Sequence, residues 1–400
     1  MPLLPRLGEG IRDSITSRPA RALPALIRAS DLMTAAGTAV PLPEVPAALA
    51  ALAALHHGEP AVADTVLDDA LTGDQGGPVA RPRLLLLRAW TAMHRGRPGL
   101  ARAAIGEATA GGQGFTPRDE LLWHALEVGL ARRADDTPGL VRAWRRARTA
   151  VLHVAVDLYS LLPLGELAVA SARLHESDRL EPYLAEAWAL LARLGDPPLW
   201  SVPLHWSAVQ AAILADRPRD LAPHAEALVH AAGHSHLAAV LAAAGRAWVS
   251  VLGGRVEAAT VESAAHALAS VGLIWDGARL AGHAAARAAE PKDMTRLLAC
   301  ARNLHPDRGA DPVDGTGRPP PAAPAAAAVD QTGLSARERE VARHVLDGKT
   351  YREIGTAMFI SPRTAEHHIG RIRRRLGIRT RAELLTRLRL ALDSESPQGQ

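Results

Sequence analysis

The chain has 400 residues, 48% of them hydrophobic, enough for roughly two to three domains of about 150 residues with buried cores. Its single cysteine, Cys300, excludes an internal disulfide framework and any multi-cysteine metal site, and suits a reducing compartment. The net charge of +4 is unevenly held: residues 334–392 carry 14 Lys/Arg against 6 Asp/Glu, a surplus of +8, while residues 1–333 and the tail 393–400 each sum to −2.

A small basic segment behind a near-neutral body points to an electrostatic partner for that segment alone. The start, "MPLLPRLGEG", lacks the charged and apolar regions of a secretory leader. The best membrane candidate, "HLAAVLAAAGRAWVSVLGG", is interrupted by Arg246 and reads as packed helix. The expected setting is the cytoplasm, with no membrane partner.

From the N-terminus to about residue 304 the pattern is helical throughout. Apolar residues recur at three-four spacing, as in "LLLLRAWTAMHRGRPGLARAAIGEATA", and alternating β-branched runs are absent. Helix-breaking turns fall at Gly58, Gly96, Asp135, Glu176, Asp216, Gly254 and Glu290, at intervals of 38, 39, 41, 40, 38 and 36 residues. That period is the size of one helix–turn–helix pair, so residues 1–304 are expected to stack about seven α-hairpins. The region resembles tetratricopeptide-type repeats in period and turn chemistry, with degenerate consensus residues. Such a stack forms a superhelix with a concave face, suited to sensing a protein or small-molecule effector. All eight Trp lie here and read as packing residues. The cluster His224, His230, His234, His236 has ligand-type side chains, but Gly233 breaks the helix that would align them, and the expectation is no metal. Cys300 reads as a small buried residue.

Residues 305–333, "HPDRGADPVDGTGRPPPAAPAAAAVDQTG", are rich in Pro, Gly and Ala and read as a semi-extended linker. Past them lie four helix starts with explicit caps. Ser335 and Glu338 form a capping box for a helix to about Leu346, stopped by Gly348; Thr350 and Glu353 repeat the device for a short helix to about Met358. Ser361 and Pro362 open a third helix, about 362–376, and Thr380 with Glu383 opens a fourth to about Leu392. Val341, Val345, Ile354, Ala357, Ile360, Ala365, Ile369, Ile372, Leu376, Ile378, Leu384, Leu385 and Leu388 would form one small core. The second and third helices, separated by about three residues, make a helix-turn-helix pair.

The tripeptide Gly348-Lys349-Thr350 could suggest nucleotide chemistry, but a P-loop needs its first glycine where Arg343 stands, and a strand before it. No cofactor and no catalysis are expected.

The stretch "LSAREREVARHVLDGKTYREIGTAMFISPRTAEHHIGRIRRRLGIRTRAELL" resembles the DNA-binding domain of the LuxR family of bacterial regulators. It is similar in its core, in Glu338, in the Ser-x-x-Thr-Ala opening of the third helix, in His368, and in the basic run ending at Leu-Gly. Tyr351 and Gly370 depart from the family pattern. The resemblance covers about 55 residues, and the chain resembles only the C-terminal half of the large ATP-binding members, without their ATPase module.

The fold expected is all-α: a tetratricopeptide-like superhelix, the linker, a four-helix LuxR-type domain over 334–392 and a disordered tail over 393–400. With Ala365, Ile369 and Ile372 facing the core, Thr364, Glu366, His367, Gly370, Arg371 and Arg374 lie on the opposite side of the recognition helix. The resemblance implies that Glu366, His367 and Gly370 face base edges in the major groove. Thr364, His368, Arg371 and Arg374 would meet phosphates, joined by Lys349, Thr350, Ser361, Arg363 and Arg381. The resemblance also implies a homodimer on double-stranded promoter DNA, joined through Leu384, Leu385 and Leu388 of the fourth helix. The alternative is an interaction scaffold whose C-terminal domain binds DNA weakly or without sequence preference.

Overall fold

The computed structural model describes residues 3–16, 19–37, 42, 44–110, 114–304, 336–347, 349–350, 353–354, 369 and 372. The chain divides into two compact units, Met1–Pro312 and Val313–Gln400. Among the described residues all regular structure is helical.

Seven α-hairpins follow one another in the first unit. They are α3 (Pro46–His57) with α4 (Pro60–Thr72), α5 (Gly77–His94) with α6 (Pro98–Ala110), and α7 (Pro117–Arg133) with α8 (Thr137–Val151). Next come α9 (Leu161–Leu174) with α10 (Glu181–Arg193), joined through a 3₁₀ turn, and α11 (Pro198–Ala215) with α12 (Pro218–Ala231). The last are α13 (His236–Leu252) with α14 (Ala258–Ser270), and α15 (Ile274–Ala285) with α16 (Pro291–Leu304). Each of the seven turns read from the sequence falls inside one hairpin. Ahead of them α1 (Leu3–Ser14) and α2 (Pro19–Ala36) pack on each other, an additional pair that the periodicity did not announce. Gln75 secures α2: its Oε1 accepts from the Ala47 N–H at 3.0 Å, and its Nε2 donates to Ser30 and Thr34.

Six of the seven hairpin turns share one backbone device. Gly58, Gly96, Asp135, His175, Asp216 and Gly254 all have φ between +54° and +79°. Beside each, the next residue's N–H donates to a carbonyl five positions back, as in Glu59 to Ala54 at 2.9 Å and Arg217 to Ala212 at 3.0 Å. This is the Schellman closure, which satisfies carbonyls that a helix end would leave bare. Prolines at the start of α3, α4, α6, α7, α11, α12 and α16 preset φ where the missing N–H costs nothing.

Helix α3, "PAALAALAALHH", is buried on nearly all sides, packed by α2, α4, α5 and α11. A helix apolar all round belongs in an interior, and this one sits at the heart of the first unit. Two large clusters of buried side chains fill the stack, one from Leu3 to Leu204 and one from Val202 to Leu297, and α11 contributes to both. Trp90, Trp144, Trp200, Trp206 and Trp248 are buried in them, in line with a packing role. Cys300 is buried too, as expected.

The stack returns on itself. The α3–α4 turn seats against the α14–α15 turn: a side chain at Gly58 would lie 2.9 Å from Val271 Cβ, and one at Gly272 only 2.6 Å from Pro60 Cγ. His56 Nδ1 lies 3.2 Å from the Leu199 carbonyl, and the Trp275 indole donates to the Arg133 carbonyl at 3.3 Å.

In the second unit α17 spans Ala336–Leu346. Val341, Ala342, Val345, Ile354, Ile369 and Ile372 are buried, five of them residues the apolar pattern had assigned to the small core. The remainder of that core and the 305–333 linker lie outside the described residues.

Candidate functional site

In the second unit Thr350 and Glu353 satisfy each other's backbone. Glu353 Oε2 accepts from the Thr350 N–H at 2.8 Å, and Thr350 Oγ1 accepts from the Glu353 N–H at 3.3 Å. The capping box read from "TYRE" is therefore formed, and the Thr350 N–H and hydroxyl hold the Glu353 carboxyl below its ordinary value. Lys349 follows the end of α17, its N–H donating to the His344 carbonyl at 3.2 Å and its Nζ 3.0 Å from His344 Nδ1. Lys349 and Thr350 thus stand side by side just ahead of Glu353 and Ile354, which are helical, with Ile354 buried. Ile369 and Ile372, three apart, are both helical and both buried, where the apolar pattern assigned them to the core. Ser361, Arg363, Thr364, Glu366, His367, His368, Gly370, Arg371, Arg374 and Arg381 lie outside the described residues, as do Leu384, Leu385 and Leu388.

A second constellation, which sequence reading did not find, lies inside the first unit. A cavity of about 80 Å³ is walled by the first helix of every hairpin, α3, α5, α7, α9, α11, α13 and α15. Glu166 of α9 holds its centre: Arg132 grips the carboxylate from Nε and Nη2 at 2.6 and 3.1 Å, and Arg133 donates from Nη1 at 2.9 Å. Burial alone would raise the Glu166 carboxyl, but the two guanidinium groups overcome it and hold it down to about 2. The Arg132 guanidinium also lies 4.6 Å from the Trp275 ring centroid. Burial raises the Asp276 carboxyl although Arg132, Arg133 and Arg279 are near. Arg279 donates to Gln210 Oε1 at 2.6 Å, and burial, then Arg132, lowers it to about 10.

Two histidines of the wall are held neutral. Burial pushes His56 down to about 4 against the opposing pull of the Leu199 carbonyl. It pushes His94 to about 3, with Arg133 acting in the same sense. Because a carbonyl only accepts, His56 carries its proton on Nδ1 and leaves Nε2 as an acceptor.

The histidine cluster read from the sequence does not converge. His224 instead pairs with His205, Nδ1 to Nδ1 at 3.0 Å, and stacks on Trp188. His230 belongs to α12 and His236 opens α13, with His234 between them. Among the described residues Glu262, His266 and Cys300 bring ligand-type atoms within 4.8 Å of one another, but Arg296 already takes the Glu262 carboxylate at 2.5 Å and burial raises the Cys300 thiol. No helix among the described residues is long and apolar enough to cross a membrane.

A short basic unit with a formed capping box and buried inward positions, following a body of helical hairpins, suits a DNA-binding regulator of transcription. Residues 332–388 match the family described as bacterial regulatory proteins, luxR family. The spore germination protein GerE of Bacillus subtilis (strain 168) is 36% identical over 55 residues, which are 14% of this chain and 74% of that relative. The chain belongs to the LuxR family of bacterial regulatory proteins. No solved structure matches it.

Proposed function

We propose that the chain is a sensor-linked regulator: residues 334–392 read promoter DNA as a homodimer, and the hairpin stack over 1–304 receives the signal. Residues 305–333 join the two, and 393–400 form a tail. The observation that carries the reading is the family match over 332–388 on a segment with a surplus of +8. Its charge suits the phosphate backbone, and its caps and buried stripe suit a helix presented to the major groove. Glu366, His367 and Gly370 take the base edges. Lys349, Thr350, Ser361, Arg363, Thr364, His368, Arg371, Arg374 and Arg381 take phosphates, and Leu384, Leu385 and Leu388 form the dimer seam. The protein acts by binding, without turnover and without a cofactor, in the cytoplasm at the nucleoid.

Fluorescence anisotropy of the full chain on promoter fragments and on random DNA, across a salt series, tests this. Sequence preference with a steep salt slope is expected; Glu366→Ala should flatten the preference, and Arg371→Ala should weaken all sequences alike and reduce the slope by about one. A steep slope with no preference in the parent chain would favour an interaction scaffold with nonspecific DNA binding.

A further inference from the structure

The charge count of the buried cluster does not close. Arg132, Arg133 and Arg279 face two carboxylates, Glu166 and Asp276. Among the described residues no carboxylate lies within ion-pairing distance of Arg279; its Nη1 goes to Gln210 Oε1. Arg279 sits behind the cavity wall, on Gln210 and over the Trp248 and Trp275 rings. A buried cation without a hydrogen-bonded anion is unfavourable, and an anion in the adjoining cavity would offset it.

The polar atoms of the wall have the same bias. Gln210 and Trp206, 3% and 5% exposed, both line the cavity, and Gln210 Nε2 and Trp206 Nε1 have no hydrogen-bond partner within the protein. Both are donors, one of them on the amide whose oxygen Arg279 already holds. Unpaired buried donors are uncommon, and two on successive turns of α11 in one cavity wall are a local concentration of missing acceptors. His56 Nε2 is also unpaired but is an acceptor, which suits a hydroxyl on the body of the same ligand.

We propose that this cavity is the effector site, and that it takes a small organic monoanion whose carboxylate is held by Gln210, Trp206 and the arginine cluster. The inference rests on the sensor reading of the hairpin stack. Size narrows the class: at about 80 Å³ the cavity exceeds several-fold the ~10–15 Å³ needed to hold one water, enough for a small molecule. That suits a small ligand, such as a short carboxylic acid with an apolar tail against Leu161, Leu237 and Leu241. Since every hairpin supplies a wall, an occupant couples the first repeat to the last, giving binding a route to reshape the whole stack.

Isothermal titration calorimetry on the full chain tests this with butyrate, 3-hydroxybutyrate and hexanoate, each beside its neutral amide. The expected result is saturable binding of at least one carboxylate, with its amide at least about tenfold weaker. Trp206→Phe keeps a ring and removes the donor; it should lose about tenfold in carboxylate affinity while its melting temperature stays close to that of the parent. Failure of all three acids to bind, equal binding of acid and amide, or full affinity in Trp206→Phe overturns the assignment. DNA binding measured on the same samples separates the two readings. DNA binding without acid binding overturns the effector site alone, and acid binding without DNA binding overturns the regulator alone.

Discussion

Glu166 is a lone charge in the apolar run "LLPLGELAVA", and its environment explains why it is tolerated there. Removing the charge while keeping the shape, Glu166→Gln, leaves Arg132 and Arg133 buried without their anion. The expected cost is about 3–5 kcal/mol, read as a lower urea midpoint at unchanged slope. The exposed pair Arg81–Glu107 provides the contrast: Arg81→Ala should cost no more than about 1 kcal/mol. Acid should weaken the fold in two windows. His56, His205 and His283 all sit near 4 against an ordinary 6.5, so the unfolded chain binds more protons between these values. Their contribution is complete above pH 6.5 and is lost as pH falls toward 4. The Glu166 contribution is complete above its ordinary 4.5 and is lost toward about 2. Melting temperature followed from pH 8 to pH 3 should therefore decline in the upper window, and His56→Gln should shallow that decline. In the second unit the sequence displayed single-residue detail, such as the Thr350–Glu353 box, because capping is local. The cavity wall was not legible in the same way. His56 and Asp276 meet only after seven hairpins have stacked, and no local spacing encodes that encounter.

At the scale of the element, the turns explain why the period could be read. A left-handed residue followed by a Schellman closure needs Gly or a short polar residue, and those letters recur near every fortieth position. His175 shows the limit, since the residue that takes φ +57° is the one before Glu176, the position the turn chemistry singled out. The α1–α2 pair escaped because its own connection, "ITSRP", lacks the Gly or acidic residue that marks the other turns, although Gly37 at φ +60° ends α2. Two glycines of equal backbone conformation distinguish turn strain from stack closure. Gly195 has φ +80° and open space around it, so Gly195→Ala should cost only the strain, about 1 kcal/mol. Gly58 has φ +77° and Val271 in the way, so Gly58→Ala should cost more by an amount that reports the closing contact. Equal melting temperatures for the two variants would show that the contact contributes nothing.

For the whole molecule, the DNA-binding unit was legible because a short domain carries its caps, its charge and its inward stripe within 60 residues. Lys349 offers a check on how that unit meets DNA. Lys349→Ala should weaken binding to every sequence and reduce the salt slope by about one, leaving base preference unchanged. The seating of the α3–α4 turn on the α14–α15 turn has a different kind of consequence, for descent. An open solenoid tolerates the gain or loss of a repeat, because each unit touches only its neighbours. Here the turn of the first hairpin interlocks with the link between the sixth and seventh hairpins, so deleting a forty-residue unit between them would rotate one away from the other and open the interior to solvent. Gene duplication within this region is thereby penalised, and relatives that share the interlock should carry the same number of hairpins while their sequences diverge freely.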